Sequence, residues 1–248
     1  GRFSESPDQN GLSNTAGLWN TLKAADLDND GNTDIILGNH GQNTRMKATQ
    51  ERPLTMYVYD FDMNGTIEQV ITTYNGEKDY PLPLRNDMVA QIPNLQGQYP
   101  KHEDYQGKQI NDIFPQMNGV LKTQVYETRS IILKNKGNLT FEVLPLPVQV
   151  QYGPVHAIQV ADINHDGLPD VITGGNQYRA KPQTGIYAAG YPEVLINQGN
   201  CRFQSLPITI SGLLEDEEIR NLQFTTVNQS KLLILGLNNQ KLKVYQYD

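Results

Sequence analysis

Residues 155–176 read VHAIQVADINHDGLPDVITGGN, and this stretch constrains the fold more than any other. An alternating apolar run (Ala157, Ile158, Val160) opens it, and a β-branched run (Val171, Ile172, Thr173) closes it. Between them, Asp162, Asn164, Asp166 and Asp170 occupy positions 1, 3, 5 and 9 of a loop with Gly167 at position 6. That spacing lets a short loop wrap a hard cation: odd positions turn inward, the carbonyl of position 7 adds a ligand, and glycine permits the sharp turn. All donors are oxygens, which excludes soft metals, and several carboxylates suit calcium better than magnesium. An EF-hand would need a Glu at position 12 and a helix on each side. Position 12 is Thr173, followed by Gly174-Gly175, so this is a calcium loop between two strands; a dockerin-like loop fails on the same flanks.

The pattern recurs. Asp26, Asp28, Asp30 and Asp34 repeat it around Gly31, followed by Ile35-Ile36-Leu37-Gly38. Asp60, Asp62, Asn64 and Glu68 repeat it around Gly65, with Glu at position 9 and Thr66 at position 7. Asp, Asn and Gly also make plain solvated turns, but strands around repeated matches argue for metal at the loops beginning at Asp26 and Asp162.

A second periodicity organises the chain. Leu133, Asn135, Gly137, Asn138, Phe141, Leu144 and Pro145 match Leu195, Asn197, Gly199, Asn200, Phe203, Leu206 and Pro207 at an offset of 62. Each set reads as a hairpin with an Asn/Gly turn. The same offset carries Val171–Gly174 onto Leu233–Gly236 and replaces the loop carboxylates by Phe224, Thr226, Asn228 and Leu232. The unit is therefore strand, loop, strand, hairpin. Four antiparallel strands in about 60 residues are the size of one propeller blade. The expected fold is all-β, a propeller or partial propeller of about four blade equivalents with a small helical insertion. Residues 1–248 are taken as one domain, with blades at about 17–74, 75–147, 155–210 and 219–248 and the insertion at 84–120. Residues 1–16 are polar and read as loose, and Ile219 to Asp248 supplies three strands of the last blade. Asp60 follows Asp26 by 34 residues, as Asn197 follows Asp162 by 35, which places the Asp60 loop at the hairpin turn of the first blade. Asn64-Gly65 is a good turn by itself, so metal and plain turn both stay open there.

Leu84–Leu95 and His102–Phe114 read as short helices interrupted by Pro93, Pro100 and Gly107. Tyr80, Tyr99, Tyr105 and Phe114 either line a ligand surface or, as amphipathic packing favours, seat the insertion on the blades. The Tyr/Gly/Ala-rich stretch 177–192, with Arg179 and Lys181, reads as a surface crossover.

In its loops and the strings GLWNTLKAADLDNDGNTDIILGNHGQN, Leu146–Gln151 and GGNQY (174–178), the chain resembles the FG-GAP/VCBS repeats of integrin alpha subunits and bacterial surface proteins. It is similar in particular to the C-terminal region of large cartilage-acidic-protein-like proteins of the Bacteroidetes type. The resemblance covers most of 17–248 outside the insertion. It implies a β-propeller, usually of seven blades, with calcium in loops on one face. Carried over, it assigns ligands to Asp26, Asp28, Asp30 and Asp34 and to Asp162, Asn164, Asp166 and Asp170, with the carbonyls of Asn32 and Leu168 at position 7. The Phe-Gly/Gly-Ala half of the integrin motif is poorly kept, and about four blades cannot close a ring of seven.

Net charge is −7, which opposes nucleic acid as a partner. No stretch reaches the length of a membrane helix, so direct membrane insertion is not expected. Gly1-Arg2 is not a natural start, so the chain reads as a fragment of a longer protein. The lone Cys201 reads as a small half-buried residue rather than a reactive thiol. His40, His102, His156 and His165 are scattered, and no nucleophile elbow, phosphate loop or zinc spacing is present. The expected function is a non-catalytic, calcium-binding adhesion module that binds a protein or carbohydrate ligand. The alternative is a polysaccharide-active enzyme, lyase or hydrolase, with structural calcium and chemistry in 75–125. It would require Arg85, Asp87, His102, Glu103, Asp104 and Tyr105 to converge in one cleft with the blade face. Calcium is abundant outside cells, so the extracellular space, periplasm or outer-membrane surface is the expected location.

Overall fold

The structure, a computed structural model, describes residues 1–5, 10–181 and 184–247. Expectations touching residues 6–9, 182, 183 and 248 lie outside the described residues. The chain opens with β1 (Thr21–Ala25), β2 (Asp34–Gly38), β3 (Leu54–Tyr59), β4 (Glu68–Asn75) and β5 (Lys78–Pro81). Four short helices follow, α1 (Arg85–Gln91), α2 (Leu95–Gln98), α3 (His102–Tyr105) and α4 (Ile110–Ile113). Then come β6 (Leu121–Val125), β7 (Ile131–Asn135), β8 (Phe141–Pro145), β9 (Val155–Ala161), β10 (Asp170–Gly175), β11 (Glu193–Asn197) and β12 (Phe203–Ser205). Helix α5 (Ile208–Ser211) leads to β13 (Ile219–Val227), β14 (Ser230–Leu237) and β15 (Lys243–Tyr247).

These elements form two compact units, Gly1–Thr44 with Thr128–Asp248, and Arg45–Glu127. The first unit holds three antiparallel sheets, ordered β1-β2-β7-β8, β9-β10-β11-β12 and β13-β14-β15. Their first strands lie side by side, β1 against β9 and β9 against β13. Strand alternation explains the core. Val171 and Leu195 join Ile36 and Ile132 in one buried cluster, while Ile172 and Val194 join Leu222 and Leu235 in another. The middle sheet is thus buried on both faces. Period-2 side chains then make both faces apolar, and its strands read as unbroken apolar runs. At the end of β10 the pairing with β9 shifts register between Gly174 and Gly175. A Cβ on Gly175 would lie 1.6 Å from the Pro154 carbonyl oxygen, so only glycine fits there.

The second unit is a four-stranded antiparallel sheet, β5-β4-β3-β6, with α1–α4 between β5 and β6. It has its own core, in which Tyr57 and Val70 from the sheet meet Met88, Leu95, Ile110 and Phe114. Tyr99 and Phe114 are buried in that cluster and Tyr105 packs on it, so three of the four aromatics singled out in the sequence serve packing.

Two expectations are corrected. The hairpin at 54–74 does not complete the sheet of β1 and β2; that sheet takes its outer strands from 131–145. Accordingly, the Asp60 loop is not the outer hairpin turn of the first blade. It joins β3 to its direct antiparallel partner β4, the relation that the other two loops have to β1-β2 and β9-β10. The physical reason is non-local register: β2 pairs with β7 across the whole second unit, Ile36 opposite Ile132.

Candidate metal loops

Each loop is built the same way. The position-1 carboxylate accepts from the backbone N–H groups of positions 5 and 6. In the first loop these are Asp30 N and Gly31 N to Asp26, at 3.2 and 2.9 Å. In the second they are Asn64 N and Gly65 N to Asp60, both at 2.9 Å. In the third they are Asp166 N and Gly167 N to Asp162, at 3.1 and 3.0 Å. The position-5 side chain accepts from the N–H of position 7, Asn32, Thr66 or Leu168. Position 4 is left-handed in every case, with φ of 57° at Asn29, 57° at Met63 and 62° at His165, and the glycines at position 6 follow at 86–89°. Non-glycine residues rarely adopt that conformation, and here three unrelated side chains share it.

Position 9 anchors the loop to its sheet. Asp34 accepts from Leu27 N at 3.0 Å and Asn135 N at 2.8 Å, and Asp170 accepts from Ile163 N at 2.9 Å and Asn197 N at 2.8 Å. Both carboxylates are fully buried. Glu68 accepts from Phe61 N at 2.8 Å and from the Thr66 hydroxyl. Asp170 Oδ2 also takes Asn164 N at 3.4 Å, whereas Asp34 Oδ1, Asp170 Oδ1 and both Glu68 oxygens have one donor each and keep a further acceptor site. Asn135 and Asn197 were visible in the sequence only as matched turn residues. Their backbone N–H groups grip the position-9 carboxylates, and the Asn197 amide also bridges Leu27 O and Pro169 O, tying the first loop to the third. The Asn29 amide does the same to Gly167 O.

Position 3 tests the fit to a cation. Asp28 Oδ1 and Asp62 Oδ1 are buried and have no hydrogen-bond donor. A buried carboxylate oxygen without a donor is costly, and a hard cation is the chemistry that satisfies it. Carboxylate oxygens of Asp26, Asp28 and Asp30 lie within 4.8 Å of one another, as do those of Asp60, Asp62 and Glu68. In the third loop position 3 is Asn164, which donates to Asp166 Oδ2 at 2.9 Å and accepts from Asp166 N at 3.1 Å. That loop satisfies itself and offers three carboxylates to the first loop's four. The residues of the first two loops therefore fit a hard divalent cation best. The exposed carboxyls of Asp30 and Asp166 are held below the usual carboxylate range, chiefly by the N–H of Asn32 and of Leu168.

No sequence signal pointed to Lys134. Its ammonium lies 2.5 Å from Asp28 Oδ2, with the Asp28 side chain 7% exposed. Cys201 lies in the same pocket of charge, its Sγ 3.5 Å from Asp34 Oδ2. Burial pushes its thiol up to about 12, with Asp34 and Asp28 adding to the effect, as befits a structural cysteine; it is buried in the core rather than half-buried as the sequence suggested. His165 Nε2 is 3.0 Å from Lys231 Nζ and takes no part in its loop.

The structure brings together three of the six residues singled out in the helical segment. Arg85, His102 and Tyr105 line one cleft of about 300 Å³, but Asp87, Glu103 and Asp104 do not. Arg85 is buried and spent on Tyr99 O, Pro100 O and the Gln96 amide. Glu103 pairs with Lys101, and Asp104 caps α3 through Lys101 N. Among the described residues no helix is long and apolar enough to cross a membrane. No family model matches the chain, and no curated protein matches it either.

Proposed function

We propose that this chain is a calcium-binding, non-catalytic module of FG-GAP/VCBS type. It works outside the cell or in the cell envelope and binds a protein or glycan. The observation that carries the reading is the pair of buried, donor-less oxygens at Asp28 and Asp62, each in a loop whose backbone conformation is shared by all three. Calcium would supply charge neutralisation there, with the side chains at positions 1, 3, 5 and 9 and the position-7 carbonyls of Asn32, Thr66 and Leu168 as ligands. The protein's own part is to hold those oxygens converged: turn N–H groups fix positions 1 and 5, and the sheet fixes position 9. Three sheets whose first strands lie side by side support propeller blades, with the Arg45–Glu127 unit inserted into the first blade. An extracellular setting supports modest affinity, since such modules work at about 10⁻⁴–10⁻³ M.

The test is thermal unfolding of the EDTA-treated chain with and without calcium, repeated in Asp26→Ala, Asp60→Ala and Asp162→Ala. A ligand bound only by the folded state raises its stability, by about 2.7 kcal/mol at 100 times Kd. The expected result is a calcium-dependent rise in Tm that Asp26→Ala and Asp60→Ala each reduce, with a smaller loss in Asp162→Ala. Identical melting curves with and without calcium would show that all three loops are plain turns.

A further inference from the structure

The second unit contains a cavity of about 390 Å³ beside the Asp60 loop, lined by Asp62 and Met63 of that loop and by the ends of the short helices. This lies within the range of ligand clefts, about 300–1,000 Å³. Its floor is the unit's core, the buried Leu95, Ile113 and Phe114. One wall is aromatic: Phe61 stacks on Phe114 at 4.1 Å and 27°, and Tyr59 meets Phe61 edge-on at 5.8 Å. The rim is a set of exposed carboxamides, Asn94, Gln98, Gln116 and Asn118. Among the described residues, the amides of Asn94, Gln116 and Asn118 make no side-chain hydrogen bond, while Gln98 donates to Tyr99 Oη at 3.2 Å. The only charged lining group is Asp62, whose Oδ1 is the donor-less oxygen described above.

From this arrangement we infer that the cavity is a binding site for a neutral sugar residue of a glycan. A pyranose ring presents an apolar face of C–H groups and a girdle of hydroxyls that both donate and accept. The aromatic wall and apolar floor match the first; carboxamides, which also both donate and accept, match the second. No lysine, arginine or histidine lines the cavity, so phosphates and uronates find no cationic side chain there. An extended peptide is disfavoured because strand addition needs an open sheet edge. The open edges of this sheet, β5 and β6, contribute no residue to the cavity. The inference deepens the module reading above and rests on it, choosing glycan over protein as the ligand.

The test uses the full 248-residue chain in calcium. Saturation-transfer NMR and titration are run with D-glucose, D-galactose, D-mannose and N-acetyl-D-glucosamine as neutral probes and D-glucuronate as the anionic one. The double variant Gln116→Ala/Asn118→Ala and the single Asn94→Ala change only exposed side chains, and circular dichroism checks their fold. At least one neutral sugar should bind the parent chain, more tightly than glucuronate, and the double variant should weaken it about tenfold, as two lost hydrogen bonds would. No binding of any neutral sugar overturns the inference, as does binding that survives both variants or that favours glucuronate. Melting curves with and without calcium on the same samples separate the two readings. A calcium shift without sugar binding overturns the glycan site alone. Rim-dependent sugar binding without a calcium shift supports the site and overturns the calcium reading.

Discussion

Asp28 is the residue on which the first loop turns, because its two oxygens have opposite fates. Oδ1 is buried without a donor, while Oδ2 is held by Lys134 at 2.5 Å. The lysine neutralises part of a four-carboxylate loop when no cation is bound, and it competes with any cation for the same carboxylate. Lys134→Met should therefore lower the metal-free Tm by roughly 2–8 °C, taking about 1–2 kcal/mol for a charged, largely buried pair. It should also enlarge the calcium-induced rise, and differential scanning calorimetry with and without calcium reads both. A lysine with a purely structural role would lower both curves equally. His156 tests the residue scale differently. Burial, with Arg220 and His40 adding to it, lowers its imidazole from 6.5 to about 4 against an opposing Glu218. The unfolded chain thus binds a proton at pH values where the folded one does not. This residue's contribution to stability is complete above about pH 6.5 and is lost as pH falls from there towards 4. An NMR titration of His156 should show a midpoint near 4, and His156→Gln should flatten the stability loss between pH 6.5 and 4.

At the level of elements, the matched asparagines carry the contrast. Asn135 and Asn197 stand at the same place in the repeat, yet only Asn197 is buried with both amide protons on carbonyls of two different loops. Asn197→Ala should cost about 2–4 kcal/mol, because it strands two carbonyls in the interior. Asn135→Ala loses an exposed bond to Thr33 O and the turn bond that Asn135 Oδ1 accepts from Gly137 N, which Asn197 matches with Gly199 N, and with no buried carbonyl stranded it should cost only about 1 kcal/mol. Urea unfolding of both variants reads the difference. The equivalence was legible in the sequence, since Leu133–Pro145 and Leu195–Pro207 align residue by residue. The loops were legible for the same reason: their chemistry sits in nine consecutive residues. What stayed hidden was pairing. Leu54–Tyr59, the Asp60 loop and Glu68–Asn75 have the local pattern of any strand–loop–strand unit, and nothing in that pattern says whether β2 pairs with β3 or with β7. Lys134 was hidden likewise, because only the fold brings it to Asp28.

For the whole molecule, the consequence is a fold within a fold. The Arg45–Glu127 unit enters between β2 and β7, where the middle sheet has only the connector from β10 to β11. In the outer unit, Gly41 N donates to Thr128 O at 2.8 Å and Gln42 N to Gln151 O at 2.7 Å, so the two chain segments that flank the insertion are already fastened together. Both buried clusters of the outer unit draw no residue from 45–127, and the inserted unit has a core of its own. Contacts that leave a segment's ends close make its removal cheap, since closing a short replacement loop costs little entropy. Replacing 45–127 by a short Gly/Ser linker should therefore leave a folded chain with a strand-rich circular dichroism spectrum and a single cooperative melt. On the calcium reading, it should also keep the stabilisation that comes from the loops at 26–34 and 162–170. Loss of cooperative melting in that chain would mean that the outer sheets depend on the inserted unit for their stability. Survival of the melt without the calcium response would assign the metal to the Asp60 loop alone.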